Sequence, residues 1–279
     1  MSIQSFTRIT RRTAIIGLFG VVALATSNLG IAQAQALETI KARGKLIVGI
    51  QGSNPPFGFL DSAGKNDGYD ADISKLFAEK LGVPVEYVSM VSQDRIPALQ
   101  TGKVDILFAT LAMTAERAKS IQYSIPYAAN EATVVAAKTT NVKGPDDLKS
   151  VALGVQKASS QENELKKLAP DSNILRFDDD STTIQALLSG QVEAIGANQF
   201  YINRLEGLKP GIYENKFRLA VTYNGVGTKL GDKELNAVVN SFLEELKSSG
   251  KLAELYQKWM KLPLPEFPDS VPGVTFVAQ

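Results

Sequence analysis

The sequence predicts an α/β protein of two similar lobes, each a mostly parallel sheet flanked by helices. Three observations lead there. Short apolar runs of strand length alternate with stretches of helical periodicity along most of the chain. One pattern occurs twice, at 98–109 and at 186–197. The chain has 279 residues, of which 44% are apolar, enough to fill two cores of roughly 100 residues each.

The elements follow in order. Residues 45–50 are a strand. Residues 72–81 carry Ile73, Leu76, Phe77 and Leu81 on one helical face, and Gly82 ends the helix. Residues 83–88 are a strand, 96–101 a short helix closed by Gly102, and 104–109 a strand. A strand–helix–strand alternation of this kind implies parallel strands covered by helices. The second run repeats it: strands at 133–137 and 151–155, a helix at 159–168, a strand at 174–177, a helix at 182–189, a strand at 192–197 and a helix at 199–205. Two helices, 232–248 and 251–261, close the chain around Gly250. Pro263, Pro265, Pro268 and Pro272 then bar regular helix, so the tail is expected to run extended over the surface.

The internal echo is ALQTGKVDILFA against ALLSGQVEAIGA. Ala, Leu, Gly, Val and the final Ala coincide, and Asp105 is matched by Glu193. Each copy reads as a helix end, a glycine cap and a buried strand. In open α/β sheets ligands sit beyond the carboxyl ends of the strands. The residues just after the echoed strands, Thr110 and Asn198, therefore face one another across a cleft if the lobes do.

The N-terminus reads as an export signal over residues 1–36. Arg8, Arg11 and Arg12 are the only charges before Glu38, residues 14–25 are a short apolar stretch, and Ala34-Gln35-Ala36 fits a small-x-small cleavage pattern. The paired arginines leave twin-arginine export open beside the general route. Removing 36 residues changes the net charge from +1 to −2, a balance that argues against nucleic acid as a partner. The chain has no cysteine and no histidine. Thiol catalysis, His-based triads and the usual zinc sites are thereby excluded, no calcium loop of the EF-hand type is visible, and no cofactor is expected.

Two anion seats stand out. Thr114 is a good helix N-cap with Arg117 just behind it, so free backbone N–H groups lie beside a guanidinium fork. Ser159 and Ser160 open a helix directly after the strand ending at Val155. Ordinary capping is the alternative for Ser159, and a solvated surface residue is the alternative for Arg117.

The segments GYDADISKLFAEKLG, RIPALQTGKVD and TLAMTAERAKSIQYSIPY, with NSFLEELKSSGKLAELYQKWM near the end, resemble the periplasmic polar-amino-acid-binding proteins of ABC transporters over residues 38–262. The resemblance implies the two-lobed periplasmic-binding-protein fold with two hinge strands. It sets lobe 1 at 37–128 plus 222–279 and lobe 2 at 129–221. It implies a periplasmic monomer that captures an amino acid and hands it to a membrane ABC permease. By the same resemblance Arg117 clamps the ligand α-carboxylate, Thr110 and the backbone of Ala112 contact its amino and carboxylate groups, and Ser160 adds a contact from lobe 2.

Three positions depart from that pattern. Asn198 stands where most members place an aspartate for the α-ammonium, Asn54 where several place an aromatic, and Ser92 lies near a second aromatic position. Arg95 matches an arginine carried by members that bind aspartate or glutamate. Two cleft arginines favour two carboxylates, so an acidic amino acid is the expected ligand, unless Arg95 pairs with Asp94, Glu131 or another protein acid. Lys157 is a weaker candidate for the same role. Asp70, Asp72, Asp105 and Glu193 read as structural. Two other functions stay open: a dehydratase on the same scaffold, which needs a cleft acid of raised pKa such as Glu131 or Glu193, and a ligand-sensing module for an organic acid.

Overall fold

The computed structural model describes residues 35–278. The export signal inferred for residues 1–36 lies outside them, save its last two positions. No helix among the described residues is long and apolar enough to cross a membrane.

The first half begins with α1 (Gln35–Arg43) and β1 (Leu46–Gln51). A small three-stranded sheet follows, built from β2 (Ser53–Asn54), β3 (Gly58–Leu60) and β4 (Asn66–Asp67). Then come α2 (Tyr69–Leu81), β5 (Val85–Met90), α3 (Arg95–Gln100), β6 (Ile106–Leu107) and the single-turn α4 (Ala115–Ala118). The second half holds β8 (Leu153–Gln156), α5 (Ser160–Leu168), β9 (Ile174–Phe177), α6 (Asp180–Ser189), β10 (Ala194–Asn198) and α7 (Tyr201–Leu208). Two 17-residue strands, β7 (Ile121–Ala137) and β11 (Tyr213–Lys229), link the halves. The helices α8 (Lys233–Ser248) and α9 (Lys251–Met260) end the regular structure.

The large sheet has the order β5-β1-β6-β11-β7-β10-β8-β9. β1 is parallel to β5 and β6, and β8 is parallel to β9 and β10. Each half is thus three parallel strands, flanked on one side by the antiparallel pair β7/β11. That pair runs from Ile121 opposite Lys229 to Ala137 opposite Tyr213, with Asn130 opposite Thr222 midway. This is the two-lobed periplasmic-binding-protein fold, joined by two hinge strands, that the sequence predicts.

Both faces of each half are covered. In the first half, Ile40, Phe77, Phe242, Leu252 and Tyr256 fill one face beneath α1, α2, α8 and α9, while Leu99, Leu107 and Leu111 fill the other. In the second, Leu187, Ile195 and Leu205 pack on one face and Leu153, Val155 and Leu165 on the other. Tyr256 and Met260 are core residues, and Trp259 donates its indole N–H to Asp72 at 2.7 Å. The described residues after Lys261 form no helix and are pinned where Gln122 and Asn240 donate to the carbonyls of Thr275 and Phe276.

The echo has a physical counterpart bond for bond. Gly102 and Gly190 both adopt φ +77°. Val104 N–H donates to Ala98 O at 3.3 Å, and Val192 N–H to Ala186 O at 3.2 Å. Asp105 accepts from the Ile47 N–H at 2.8 Å, and Glu193 from the Ala152 N–H at 3.0 Å. Both acids therefore stitch the start of one strand to its neighbour, as structural residues.

Candidate functional site

The carboxyl ends of β1, β6, β8 and β10 converge on one cavity between the halves. Of the positions singled out in the sequence, Asn54, Ser92, Arg95, Thr110, Ala112, Arg117, Ser159, Ser160 and Asn198 line it, and Lys157 does not. Its volume is about 20 Å³, room for little more than one water. The halves are therefore closed on one another, and a larger occupant requires them to part or side chains to swing.

On the first wall, the backbone carries the strain. Thr110 has φ +49°, a conformation that a β-branched residue rarely takes. Asp70 holds it there. One carboxylate oxygen of Asp70 accepts from the Thr110 N–H at 2.7 Å and from its hydroxyl at 3.0 Å, and the other accepts from the Tyr127 hydroxyl at 2.7 Å. Asp70 is fully buried; burial pushes its pKa up, and those bonds and Arg95 pull against the rise. Thr114 caps α4 by accepting from the Arg117 N–H at 3.2 Å.

The second wall repeats the device. Ala158 has φ +55°, and its N–H donates to the Glu162 carboxylate at 2.7 Å. Lys166 and Arg176 pair with that carboxylate at 2.6 and 2.7 Å. Ser159 caps α5, accepting from the Glu162 N–H at 3.1 Å. The left-handed turn at Ala158 leaves its carbonyl free to meet Arg117.

Contacts across the cavity are numerous. Arg117 donates to Ala112 O at 2.9 Å on its own side and to Ala158 O at 2.8 Å on the other. Asn198 donates to the Asn54 side-chain oxygen at 2.8 Å, while its own oxygen accepts from the Phe200 N–H at 2.9 Å. Ser92 donates to Gln156 at 2.9 Å. Gln51 and Ser53 donate to Asp180, and Arg204 donates to Ser53 O at 3.0 Å.

Among the described residues Arg95 pairs with no acid. It donates to Ala109 O at 2.7 Å, to Ser92 O at 3.2 Å and to the Ser92 hydroxyl at 2.8 Å. Burial, and then the charge of Arg117, lower its pKa to about 9, so it stays cationic at neutral pH. Glu131 bonds Arg218 at 3.0 Å and is absent from the cavity lining; Lys157 pairs with Asp178 at 2.6 Å. Neither Glu131 nor Glu193 supplies a cleft acid.

The acid in the cavity is Asp180, the first residue of α6, missed because the DDD run at 178–180 reads most simply as an acidic cluster at a helix N-terminus. Burial raises its pKa to about 6, against bonds from Gln51 and Ser53 and the charges of Arg204 and Arg95. Gln51 and Gln156 were also missed. A second echo, Gly49-Ile50-Gln51 in β1 against Gly154-Val155-Gln156 in β8, is the signal that finds them. Each glutamine ends an equivalent strand and bonds a residue of the opposite half.

The lining thus offers two guanidinium groups, one carboxylate, several amides and hydroxyls, and little apolar surface. Such a set suits a small zwitterion with a polar side chain. Among the described residues no group of three or more acids is arranged to hold a metal.

The family described as bacterial extracellular solute-binding proteins, family 3, matches residues 46–262. The L-cystine-binding protein TcyJ of Escherichia coli K12 is 28% identical, over 89% of this chain and 95% of its own. The ABC transporter glutamine-binding protein GlnH of Bacillus subtilis is 27% identical, over 89% and 96%. Among solved structures, a mutant of ArgBP from T. maritima superposes with a TM-score of 0.76 at 30% identity, covering 81% of this chain and all of that one.

Proposed function

The chain belongs to the bacterial extracellular solute-binding proteins, family 3, and from that premise we propose that it is a periplasmic receptor that closes on a polar amino acid and delivers it to an ABC permease. It is exported by the signal over residues 1–36 and acts as a monomer without catalysis. Its lobes are 37–128 with 222–279, and 129–221, bending where Asn130 faces Thr222.

The observation that carries this reading is Arg117. Its guanidinium lies in the cavity and bonds a carbonyl from each wall. A ligand carboxylate seated on that fork gains charge-assisted bonds and at the same time ties the halves together. Thr110, the backbone of Ala112 and Ser160 complete the carboxylate seat. Asn198 and Asn54 offer amide oxygens, in place of a charged partner, to the α-ammonium. The relatives named for cystine and glutamine binding support an amino acid as the ligand class.

Arg95 beside Arg117 supports an acidic ligand, glutamate or aspartate. Asp180 supports a second reading, a ligand with a neutral or zwitterionic side chain, because an ionised carboxylate in the same cavity repels a second one. Catalysis is disfavoured because Asp180, the acid with the raised pKa, is tied to Gln51 and Ser53.

A thermal-shift screen of the mature protein against the amino acids and small organic acids tests the receptor reading. A true ligand raises the melting temperature by mass action. If no amino acid does so at millimolar concentration, the reading fails.

A further inference from the structure

We propose that Asp180 sets the charge preference of the cavity: it selects against a side-chain carboxylate and for a group that presents both an acceptor and a donor, such as a carboxamide or a second amino-acid head. This deepens the receptor reading and rests on it.

Three observations carry the proposal. First, Asp180 is 2% exposed, and Gln51 and Ser53 orient its carboxylate across the closed cavity. No ion pair of Asp180 occurs among the described residues. Its charge therefore faces the cavity without a direct cationic partner. Second, Gln156 lines the same cavity at 4% exposure, and its side-chain N–H₂ has no partner among the described residues. The polarity of that amide is fixed by a relay. Arg95 has only donors and gives one to the Ser92 hydroxyl, which passes its own proton to the Gln156 oxygen. The Gln156 nitrogen is thus left as a buried donor, a group that calls for an acceptor. Third, Asp180 and Gln156 stand on the same half of the cleft, and each bonds across it to the other half, Asp180 to Gln51 and Gln156 to Ser92.

An acceptor needed at Gln156, with a donor needed at Asp180, describes a carboxamide or a zwitterionic head. A bare carboxylate meets the first demand and violates the second. Like charges brought together in a closed site impose a large cost.

The test measures the affinities of L-glutamate and L-glutamine by calorimetry at pH 7.5, for the wild-type protein and for Asp180→Asn. Asparagine keeps an oxygen for Gln51 and Ser53, and a thermal melt checks the fold. Asp180→Ser is a second uncharged variant, should the first not fold. The ratio of glutamate to glutamine affinity is expected to move toward glutamate by about tenfold or more in the uncharged variants. An unchanged ratio, or a move toward glutamine, overturns the proposal and leaves the receptor reading intact. Silence from both ligands in every protein also overturns it. The receptor reading then stands or falls on whether any other amino acid binds.

Discussion

Replacing Arg117 by alanine separates ligand binding from fold stability. Arg117 makes two backbone contacts, but their loss is unequal. Ala112 O also accepts from the Tyr123 hydroxyl at 2.9 Å, so it stays paired without the arginine. Ala158 O is left unpaired in the closed form. An unmet buried carbonyl costs about 1–3 kcal/mol. Parting of the halves, however, lets water reach it, so the net loss of stability should be under about 2 kcal/mol. The binding term is larger. Truncating one side of a buried charged pair costs about 2–5 kcal/mol, which is roughly 30- to 5,000-fold in Kd. Calorimetry with the best ligand from the thermal screen, paired with a denaturant melt of the free protein, gives both quantities. Arg117→Lys keeps the charge but not the planar fork and should recover only part of the affinity. Near-native affinity in Arg117→Ala would refute the clamp. A stability loss matching the affinity loss would instead make Arg117 mainly a structural strut.

Two further outcomes follow from other parts of the cleft. Because the folded-state pKa of Asp180 is raised to about 6, the folded protein binds a proton more readily than the unfolded chain, and stability contributed here grows as pH falls through that value. Between pH 7 and pH 5 the wild type should gain about 1 kcal/mol relative to Asp180→Asn in denaturant melts, and no gain, or a gain in the opposite sense, would mean that Gln51, Ser53, Arg95 and Arg204 hold the carboxylate ionised. Gly68 has φ +116°, and a Cβ there would lie 2.4 Å from Phe57 O; Gly68→Ala should cost about 3 kcal/mol or more and lower the melting temperature by roughly 6–12 °C, because it moves the start of α2 and with it Asp70.

The sequence discloses the parallel units and fails at the strands that join them. Helices such as α6 and α8 carry a 3.6-residue pattern and caps, and their limits are read within a residue or two. β7 does not advertise itself. It is buried on both faces for nearly all of its 17 residues, so no alternation appears before Thr133. The sequence reading has no strand at all in 213–229, where β11 runs through four register shifts that break any period. β5 starts two residues late because Pro84 has no N–H to give a ladder. At the site, residues that follow a motif are legible: Arg117 behind its cap and Thr110 after an echoed strand. Asp180 is hidden because a helix-capping acid and a cavity acid look alike in sequence. Only the approach of Gln51 from 129 positions away tells them apart.

The strand order has a consequence for synthesis. β11 lies between β6 and β7, and its contact with β6 is made by Gly227 opposite Leu107. The group β5-β1-β6 is therefore complete in sequence by residue 107, yet it gains its inner neighbour only after residue 227 has been made. It gains the cover of α8 and α9 later still. The group β10-β8-β9 meets β7 with nothing beyond residue 198. The part of the chain that leaves the ribosome first is thus the last to finish assembling. For that whole interval its apolar strands remain without a complete sheet, so this half stays open to non-native association until nearly all of the chain has been translated.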